Sequence, residues 1–329
     1  MSAAPLPVGV VGVGSLGCHH ARLYASLSGA RLVGVFDTRP ARAAEIAGQY
    51  GTRAYPSLDA LLADVEAVSV VVPTPVHHEV GLAALGRGRH VLMEKPLAAT
   101  LEQARALVAA AERAGVILQT GHVERFNRAL RAAAPYLASP RFIESDRVAP
   151  FATRGSDVAV ILDLMIHDLD LVLSLVREPV VDVRASGIGV MTPSVDIATA
   201  RIEFASGAVA NLTASRLARE RVRKLRIFQP SGYFSLDLAA GSGEYLRLRP
   251  DAARALAAGA SDLSALVERV PLDAPEAEPL GLELGNFVRA VRGGEPPAVT
   301  GADGLSALAL AFRVMEAVGR GAPAALRDA

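Results

Sequence analysis

The chain has 329 residues, a length that favours about two domains. Its 34 basic and 34 acidic residues cancel to a formal net charge of zero, which argues against a protein that holds nucleic acid or an anionic membrane mainly by bulk charge. Hydrophobic residues make up 51% of the chain, too many for a disordered protein, and the single cysteine, Cys18, cannot form an internal disulfide or a cysteine-based zinc site.

The N-terminal segment lacks the basic region that begins a signal peptide, and no uninterrupted apolar stretch reaches the roughly 20 residues of a membrane span. A single cysteine is typical of a reducing compartment. We therefore expect a soluble, cytoplasmic protein with no nucleic-acid partner and no membrane partner.

Strand and helix patterns alternate strictly through residues 1–121. Strands are predicted at Val8–Gly14, Arg31–Asp37, Val65–Thr74, His90–Lys95 and Val116–His122, and helices at Ser15–Ser28, at Pro40–Tyr50, up to about Arg87, and from Thr100 to Arg113. Thr100 and Gln103 form a capping-box pattern, and Gly115 suits the left-handed position at the end of the last helix. This alternation predicts a doubly wound parallel sheet with helices on both faces, the Rossmann arrangement.

The pattern changes after residue 122. Helices are predicted at Asn127–Leu137, Val158–Val176, Leu280–Val291 and Gly304–Gly319, and strands at Arg141–Val148, Val180–Val190, Ile197–Phe204, Ala208–Ser215, Val222–Gln229, Tyr233–Leu238 and Tyr245–Arg249, with a loop or short irregular helix over Pro250–Pro279. Successive strands joined by short turns indicate an antiparallel sheet. We therefore predict an α/β domain over 1–121 and an α+β domain over 122–329.

Gly12, Gly14 and Gly17 form a G-x-G-x-x-G pattern between the first strand and the first helix. In this position the glycines permit a tight turn, a close approach to a pyrophosphate and close packing of helix on strand. The helix N-terminus, with Ser15 and Leu16, directs N–H groups at phosphates. The alternative is a glycine turn that binds no ligand. The strand before the pattern and the helix after it make this alternative the weaker interpretation.

Asp37 ends the second strand, where a carboxylate accepts hydrogen bonds from adenosine ribose hydroxyls and repels a 2′-phosphate. This favours NAD as the cofactor over NADP. Arg39 and Arg42 weaken the preference, because an arginine near the ribose can accommodate the phosphate.

Glu94, Lys95 and Pro96 stand at the end of a strand that is predicted to be buried, at the sheet edge where open parallel sheets bind ligands. Lys95 and Lys224 are the only lysines in the chain, beside 32 arginines. Lysine, unlike arginine, can lose its proton, so a partly desolvated lysine near a cofactor can act as acid or base. A solvated lysine at a strand end is the alternative.

Helical spacing places Asp163, His167 and Asp170 on one face of a largely apolar helix. A buried histidine between carboxylates is part of a structural network or of a proton-transfer site. One histidine and two aspartates without a second cluster are weak evidence for a metal, so we predict none.

Two further groups of residues are candidate ligand contacts. Pro73, Thr74 and His77 follow the long apolar strand at the same sheet edge, where a nicotinamide ribose is expected. Arg125 and Asn127, at the predicted domain junction, suit an anionic, hydroxyl-rich ligand, although an arginine there is more often an ion-pair partner.

The glycine pattern followed by His20, the strand-end Asp37, the Glu94–Pro96 triplet and the Asp163/His167 pair together resemble the Gfo/Idh/MocA family of oxidoreductases. The resemblance implies an N-terminal nicotinamide-binding domain and a C-terminal domain with a large open, mainly antiparallel sheet that commonly forms dimers or tetramers. We therefore expect a homodimer or homotetramer built through that sheet.

The resemblance also implies that Lys95, Asp163 and His167 face the substrate hydroxyl and the nicotinamide. It leaves open whether Lys95 or His167 takes the proton. Met165 replaces a glycine that is frequent in the family, and Val72-Pro73-Thr74 replaces its common Thr-Pro-Asn; both departures concern nicotinamide packing and leave the proton-transfer groups in place.

Segments 121–127, 162–170 and 227–238 are similar to the subgroup of UDP-N-acetylglucosamine 3-dehydrogenases. The similarity implies NAD-dependent oxidation of the C3 hydroxyl of that nucleotide sugar, a step towards the 3-amino sugars of lipid A. Arg125, Asn127 and Asp170 would join Lys95 and His167 as substrate contacts. The alternatives are a dehydrogenase of a free polyol, aldose or dihydrodiol, and a regulator that binds NAD and a sugar without turnover.

Overall fold

The computed structural model describes residues 4–152, 158–259 and 261–321. The chain packs as two compact units: unit 1 is Met1–Val123 with Ala277–Leu308, and unit 2 is Glu124–Glu276 with Ala309–Ala329. Within the described ranges, no helix combines the length and the apolar character that crossing a membrane requires.

Unit 1 is built on a six-stranded parallel sheet. Its strands are β1 Leu6–Val11, β2 Ala30–Phe36, β3 Arg53–Ala54, β4 Ala67–Val70, β5 His90–Glu94 and β6 Leu118–Gly121, and its first helices are α1 Gly17–Ser26, α2 Pro40–Gln49, α3 Leu58–Asp64, α4 His77–Leu85 and α5 Leu101–Ala114. The strand order is β3-β2-β1-β4-β5-β6, so the direction of the order reverses between β1 and β4. Ligands of such sheets bind beyond the carboxyl ends of the strands at this reversal. The predicted doubly wound fold is confirmed.

Local sequence explains the ends of α5. The Thr100 hydroxyl accepts a hydrogen bond from the Gln103 N–H at 3.2 Å, and Gly115 has a left-handed φ of 63° after the last turn. The capping box is only half formed, because among the described residues the Gln103 side-chain oxygen has no partner.

Three elements differ from the sequence-based expectation in unit 1. The pair β3 and α3 was not predicted: the strand has two residues and the helix seven, which is too short for a clear period. The long apolar run after Val65 contributes only four residues to β4, because Pro73 and a 3₁₀ turn at Thr74–Val76 follow it.

Unit 2 has an eight-stranded sheet. Its strands are β7 Phe142–Val148, β8 Val180–Ile188, β9 Ile197–Phe204, β10 Val209–Ser215, β11 Val222–Gln229, β12 Gly232–Asp237, β13 Ser242–Leu248 and β14 Val267–Pro271, and its helices are α6 Arg128–Ala133, α7 Ile166–Val176, α8 Ala252–Ala257 and α9 Leu263–Leu266. The order is β14-β13-β12-β11-β7-β10-β9-β8, and only the β7–β10 pair is parallel. The mainly antiparallel sheet is confirmed. The segment predicted to be a loop or short irregular helix contains the short helices α8 and α9 and also the strand β14, which was not predicted.

Alternation along the strands gives this sheet two different faces. Every second residue of β9 to β12 is buried, including Ile202, Leu212, Ile227 and Phe234. Residues of the other face form exposed ion pairs such as Lys224–Asp237, at 2.7 Å. Helix α7 contacts the sheet at β7, which places the His167-bearing helix against a packed surface.

Two helices close the described chain: α10 Pro279–Val291 and α11 Gly301–Gly321. Helix α10 packs on unit 1, where Leu284, Phe287 and Val288 join the core formed by α1 and the parallel sheet. The predicted domain boundary at residue 121 places this segment in the second domain instead. The difference arises because an apolar helical stripe shows that a helix is covered but does not show by which part of the chain.

Candidate active site

The glycine loop joins β1 to α1 in a geometry that two of its glycines make possible. Gly12 has φ +83°, and a Cβ there would lie 2.5 Å from the Val71 carbonyl oxygen. A Cβ on Gly17 would lie 1.8 Å from the Gly12 carbonyl oxygen. The loop therefore folds back tightly against β4 and starts α1 directly at the sheet edge.

The outer side of the loop is accessible. Ser15 is exposed and Leu16, half-buried, precedes the first turn of α1. A Cβ on Gly14 would have one described neighbour within 4 Å, the Arg39 guanidinium at 3.8 Å. The loop and the α1 N-terminus thus fit the phosphates of a dinucleotide, as the sequence predicts.

Asp37 lies immediately after β2 and is largely buried. One carboxylate oxygen accepts the Val13 N–H at 2.9 Å, and the other accepts the Arg39 N–H at 2.9 Å and the Arg39 Nε–H at 3.2 Å. Burial works against ionisation, but these hydrogen bonds and the charge of Arg39 outweigh it and hold the pKa of Asp37 below its ordinary value. A carboxylate has about four acceptor positions, so Asp37 retains capacity for a ribose hydroxyl.

The two nearby arginines have different surroundings. Arg39 is mostly exposed beside Asp37. Arg42 donates from Nε to the Val13 carbonyl oxygen at 2.8 Å and pairs with Glu45 at 2.8 Å. Val13 is therefore held at its N–H by Asp37 and at its carbonyl by Arg42, a brace of the glycine loop that spacing along the sequence does not reveal.

The loop after β4 holds Pro73, which is exposed, and Thr74, which is half-buried. His77, by contrast, is buried, with one ring nitrogen 2.9 Å from the Val72 carbonyl oxygen and the other 2.9 Å from the Pro96 carbonyl oxygen. Burial lowers the pKa of His77, although the carbonyl oxygens and Glu94 oppose this. The structure places His77 behind the loops, where it ties the ends of β4 and β5 together.

The end of β5 carries the Glu94-Lys95-Pro96 triplet. Lys95 and Pro96 are half-buried, and the peptide bond between them is cis. Glu94 is buried, accepts the Lys95 N–H at 3.2 Å and lies 3.2 Å from Nε2 of His20, a residue of α1. Glu94 stands at the ligand-binding edge, where we predict a cofactor contact for it, and His20 enters the prediction only as part of the family pattern.

In unit 2, Asp163 and His167 stand where two helical geometries meet. Asp163 lies in a π-helical turn over Ile161–Met165, and His167 lies in the first turn of α7. Both side chains are half-buried. A helix was predicted, but the π-helical turn was not; such turns occur often at functional sites and leave no simple pattern in the sequence.

The remaining predicted contacts of unit 2 are bonded within the protein. Arg125 forms a bidentate ion pair with buried Asp170, at 2.6 and 2.7 Å. Asn127 caps α6 by accepting the Ala129 N–H, and its amide donates to Glu124 and to the Leu238 carbonyl oxygen. These three residues secure the α6–α7 region, and Arg125 also lines a cavity.

A buried charge network underlies α7. Arg147 on β7 is 2% exposed and binds both carboxylate oxygens of Asp168, at 2.8 and 2.9 Å, and Glu124 at 2.8 Å. Burial opposes its charge, but the two acids raise the pKa of Arg147 above its ordinary value. Asp168 is the neighbour of His167, so this network fixes the rotation of α7 on the sheet. Reasoning from the sequence missed it, since the partners are 21 and 23 residues apart.

Unit 2 also has an open cavity of about 510 Å³ between α6 and the C-terminal half of α7. Its wall includes Arg125, Arg131 and Arg177, with leucines between them. Arg131 donates to the Pro275 carbonyl oxygen and Arg177 to the Ser174 carbonyl oxygen. Among the described residues, neither has a carboxylate at ion-pair distance.

Comparison with known proteins gives matches over both units. Residues 6–122 match the Gfo/Idh/MocA model of an oxidoreductase family with an NAD-binding Rossmann fold, and residues 136–235 match the model of the Gfo/Idh/MocA C-terminal domain. The UDP-N-acetylglucosamine 3-dehydrogenase of Acidithiobacillus ferrooxidans is 40% identical over 94% of this chain and 96% of its own. The myo-inositol 2-dehydrogenase of Thermotoga maritima is 29% identical over 93% and 94%.

A solved structure gives the same picture. A solved structure of the Acidithiobacillus ferrooxidans UDP-N-acetylglucosamine 3-dehydrogenase superimposes on this chain with a TM-score of 0.88 at 38% identity. The match covers 96% of this chain and 98% of that one. The similarity therefore extends through both units.

Proposed function

This chain belongs to the Gfo/Idh/MocA family of NAD-binding oxidoreductases, and on that premise we propose that it oxidises the C3 hydroxyl of UDP-N-acetylglucosamine with NAD as the hydride acceptor. The observation that carries the substrate is the 40% identity, over nearly both full chains, to a dehydrogenase of that name. Two inositol dehydrogenases that match over nearly their full length are more distant, at 29%.

The residues of this chain supply binding and proton transfer. The bound nicotinamide supplies the hydride acceptor. The glycine loop and the α1 N-terminus hold the phosphates, and the Asp37 carboxylate accepts hydrogen bonds from the ribose hydroxyls. His167 takes the proton of the substrate hydroxyl, with Asp163 orienting its ring, and Lys95 donates a hydrogen bond to the same oxygen and stabilises its developing negative charge.

The arginines of unit 2 favour a nucleotide sugar over a free polyol. A UDP-sugar carries a diphosphate that needs cations, and Arg131 and Arg177 line an open cavity without carboxylate partners among the described residues. A polyol has no charge for these side chains to bind.

The experiment that tests the substrate is a mass-spectrometric assay. UDP-N-acetylglucosamine, free N-acetylglucosamine and myo-inositol are each incubated with NAD and, in parallel, with NADP, and an aminotransferase with glutamate traps any ketone. We expect an aminated product from the nucleotide sugar with NAD. Turnover of myo-inositol alone would replace this proposal with the polyol alternative, and cofactor binding without turnover of any substrate would favour a regulator.

Asp37 gives a separate prediction for the cofactor. In Asp37→Asn the carboxylate charge that repels a 2′-phosphate is gone while the shape of the side chain is kept. We expect the ratio of kcat/KM for NAD to that for NADP to fall by about tenfold or more, because one charged hydrogen bond is worth roughly 1.5–3 kcal/mol.

Both values of kcat/KM are measured on the same variant. A general loss of order in the glycine loop would lower both values and leave their ratio unchanged. Asp59→Asn, the same replacement at an exposed acid of α3 that pairs with Arg87, is the matched control and should leave the ratio unchanged. An unchanged ratio in Asp37→Asn would remove Asp37 from cofactor selection.

A further inference from the structure

The Glu94 carboxylate is closely surrounded at the carboxyl edge of the parallel sheet. One of its oxygens lies 3.2 Å from His20 Nε2, and the other accepts the backbone N–H of Lys95 at 3.2 Å. Gly121 on β6 faces it so closely that a Cβ there would lie 3.0 Å from the carboxylate. These contacts restrict the position of the carboxylate, which lies next in the chain to Lys95, the residue proposed to bind the substrate oxygen.

His20 makes a single polar contact with this carboxylate. It is 0% exposed, its Nε2 faces Glu94, and its Nδ1 has no hydrogen-bond partner among the described residues. Burial of an imidazole costs free energy, and the hydrogen bond between His20 and Glu94 offsets part of that cost. Since α1 starts at the glycine loop, His20 links the phosphate-binding helix to the end of β5.

Three basic side chains face Glu94: His20 on α1, His77 on α4 and Lys95 itself. Burial lowers the pKa of His77 and so favours its uncharged form. Burial raises the pKa of Glu94, but the His20 hydrogen bond and charge, with Lys95, reverse this and hold the pKa below its ordinary value. Glu94 is thus a buried anion one residue before Lys95.

We propose that His20 and Glu94 form a positioning pair: His20 fixes the Glu94 carboxylate against the Lys95 backbone, and the negative charge of Glu94 keeps the Lys95 amine protonated. This gives Glu94 a role through Lys95 in place of the cofactor contact that the sequence suggests. An ammonium group then donates to the substrate oxygen, while His167 is the group that accepts the proton. The catalytic consequence, but not the pair itself, rests on the function proposed above.

The lysine composition makes a direct test possible. Because Lys95 and Lys224 are the only lysines, protein labelled with ¹³Cε-lysine gives two lysine signals, which Lys224→Arg assigns. Each amine is then titrated by NMR. In Glu94→Gln we expect the titration midpoint of Lys95 to fall by about 1 pH unit or more, the usual effect of losing an adjacent opposite charge. Lys224, on the sheet of unit 2, is the internal reference and should not move.

Variants of His20 test the other half of the pair. His20→Leu removes the donor, and we expect a smaller fall in the Lys95 midpoint. His20→Gln retains an N–H at similar reach and should restore most of it. Tyr24→Phe is the matched control, because it removes another buried hydrogen bond from α1 to the sheet, that of the Tyr24 hydroxyl with Ser69 at 2.9 Å, without facing Lys95.

A Lys95 titration in folded Glu94→Gln that overlays the wild-type curve would overturn the proposal. If Glu94→Gln does not fold, His20→Leu is the deciding variant. An unchanged Lys95 midpoint in His20→Leu would likewise overturn the proposal. The NMR titration needs no turnover, so a shifted midpoint in a protein that fails every substrate assay supports the pair and contradicts the proposed function alone. In an active enzyme, the limb of the kcat/KM profile that belongs to Lys95 should move to lower pH by the same amount.

Discussion

Replacement of Lys95 by methionine should lower kcat by about 10²- to 10⁴-fold, with NAD binding retained. Methionine preserves the length and apolar stem of the side chain but donates no hydrogen bond and carries no charge, so the developing charge on the substrate oxygen loses its stabilising partner. The glycine loop is held by Asp37 and Arg42, which bind the N–H and the carbonyl of Val13, so we expect the phosphate and ribose contacts to persist.

The two quantities are measured separately. Turnover is followed with UDP-N-acetylglucosamine, and cofactor binding by the change in NADH fluorescence under direct excitation of the nicotinamide, because the chain has no tryptophan to transfer energy to it. Lys224→Met is the matched control: it removes the other lysine, which pairs with Asp237 on the exposed face of the unit 2 sheet. A kcat within threefold of wild type in Lys95→Met would exclude Lys95 from the chemistry.

Arg147→Met should destabilise the protein by about 3–5 kcal/mol, the usual cost of leaving buried charges without their partner. The substitution fills most of the volume of the arginine but leaves buried Asp168 without the arginine that binds both of its oxygens, while Glu124 keeps Arg223 at 3.2 Å. The loss is measured as the change in the urea midpoint and slope of unfolding.

Arg226→Met is the comparison variant. Arg226 lies on the neighbouring strand β11 and pairs with Glu144 at 3.3 Å, but both side chains are substantially exposed, so the expected loss is about 0–1 kcal/mol. Equal effects of the two substitutions would show that burial of the Arg147 network contributes nothing. Partial recovery in the double variant Arg147→Met/Asp168→Leu would identify the unpaired carboxylate as the source of the loss.

Local sequence patterns predict much of this structure, because the same few residues that form each pattern also determine the local structure. The glycines, the strand-end Asp37 and the alternation of strands and helices each act within a few residues, and the parallel sheet, the antiparallel sheet and the family followed from them. The capping box at Thr100 and Gln103 marks the limit of such reasoning: the pattern is complete, yet only the hydroxyl half forms.

What the sequence does not show is the partner of each polar side chain. Arg125 and Asp170 are each predicted as substrate contacts, and the sequence does not show that they pair with each other across 45 residues. His20 and Glu94 are 74 residues apart. The catalytic assignments of Lys95, Asp163 and His167 remain proposals for the same reason, since composition and spacing identify chemical groups but not the atoms that they face.

The position of α10 has a consequence for biosynthesis. Leu284, Phe287 and Val288 complete the core of unit 1, but the ribosome makes them only after residues 124–276 have been added. Until then, the apolar surface of α1 that they cover stays open to solvent or to chaperones. A fragment that stops near residue 123 should therefore be poorly soluble, and expression of the cofactor-binding unit alone requires α10 to be joined to it by a linker.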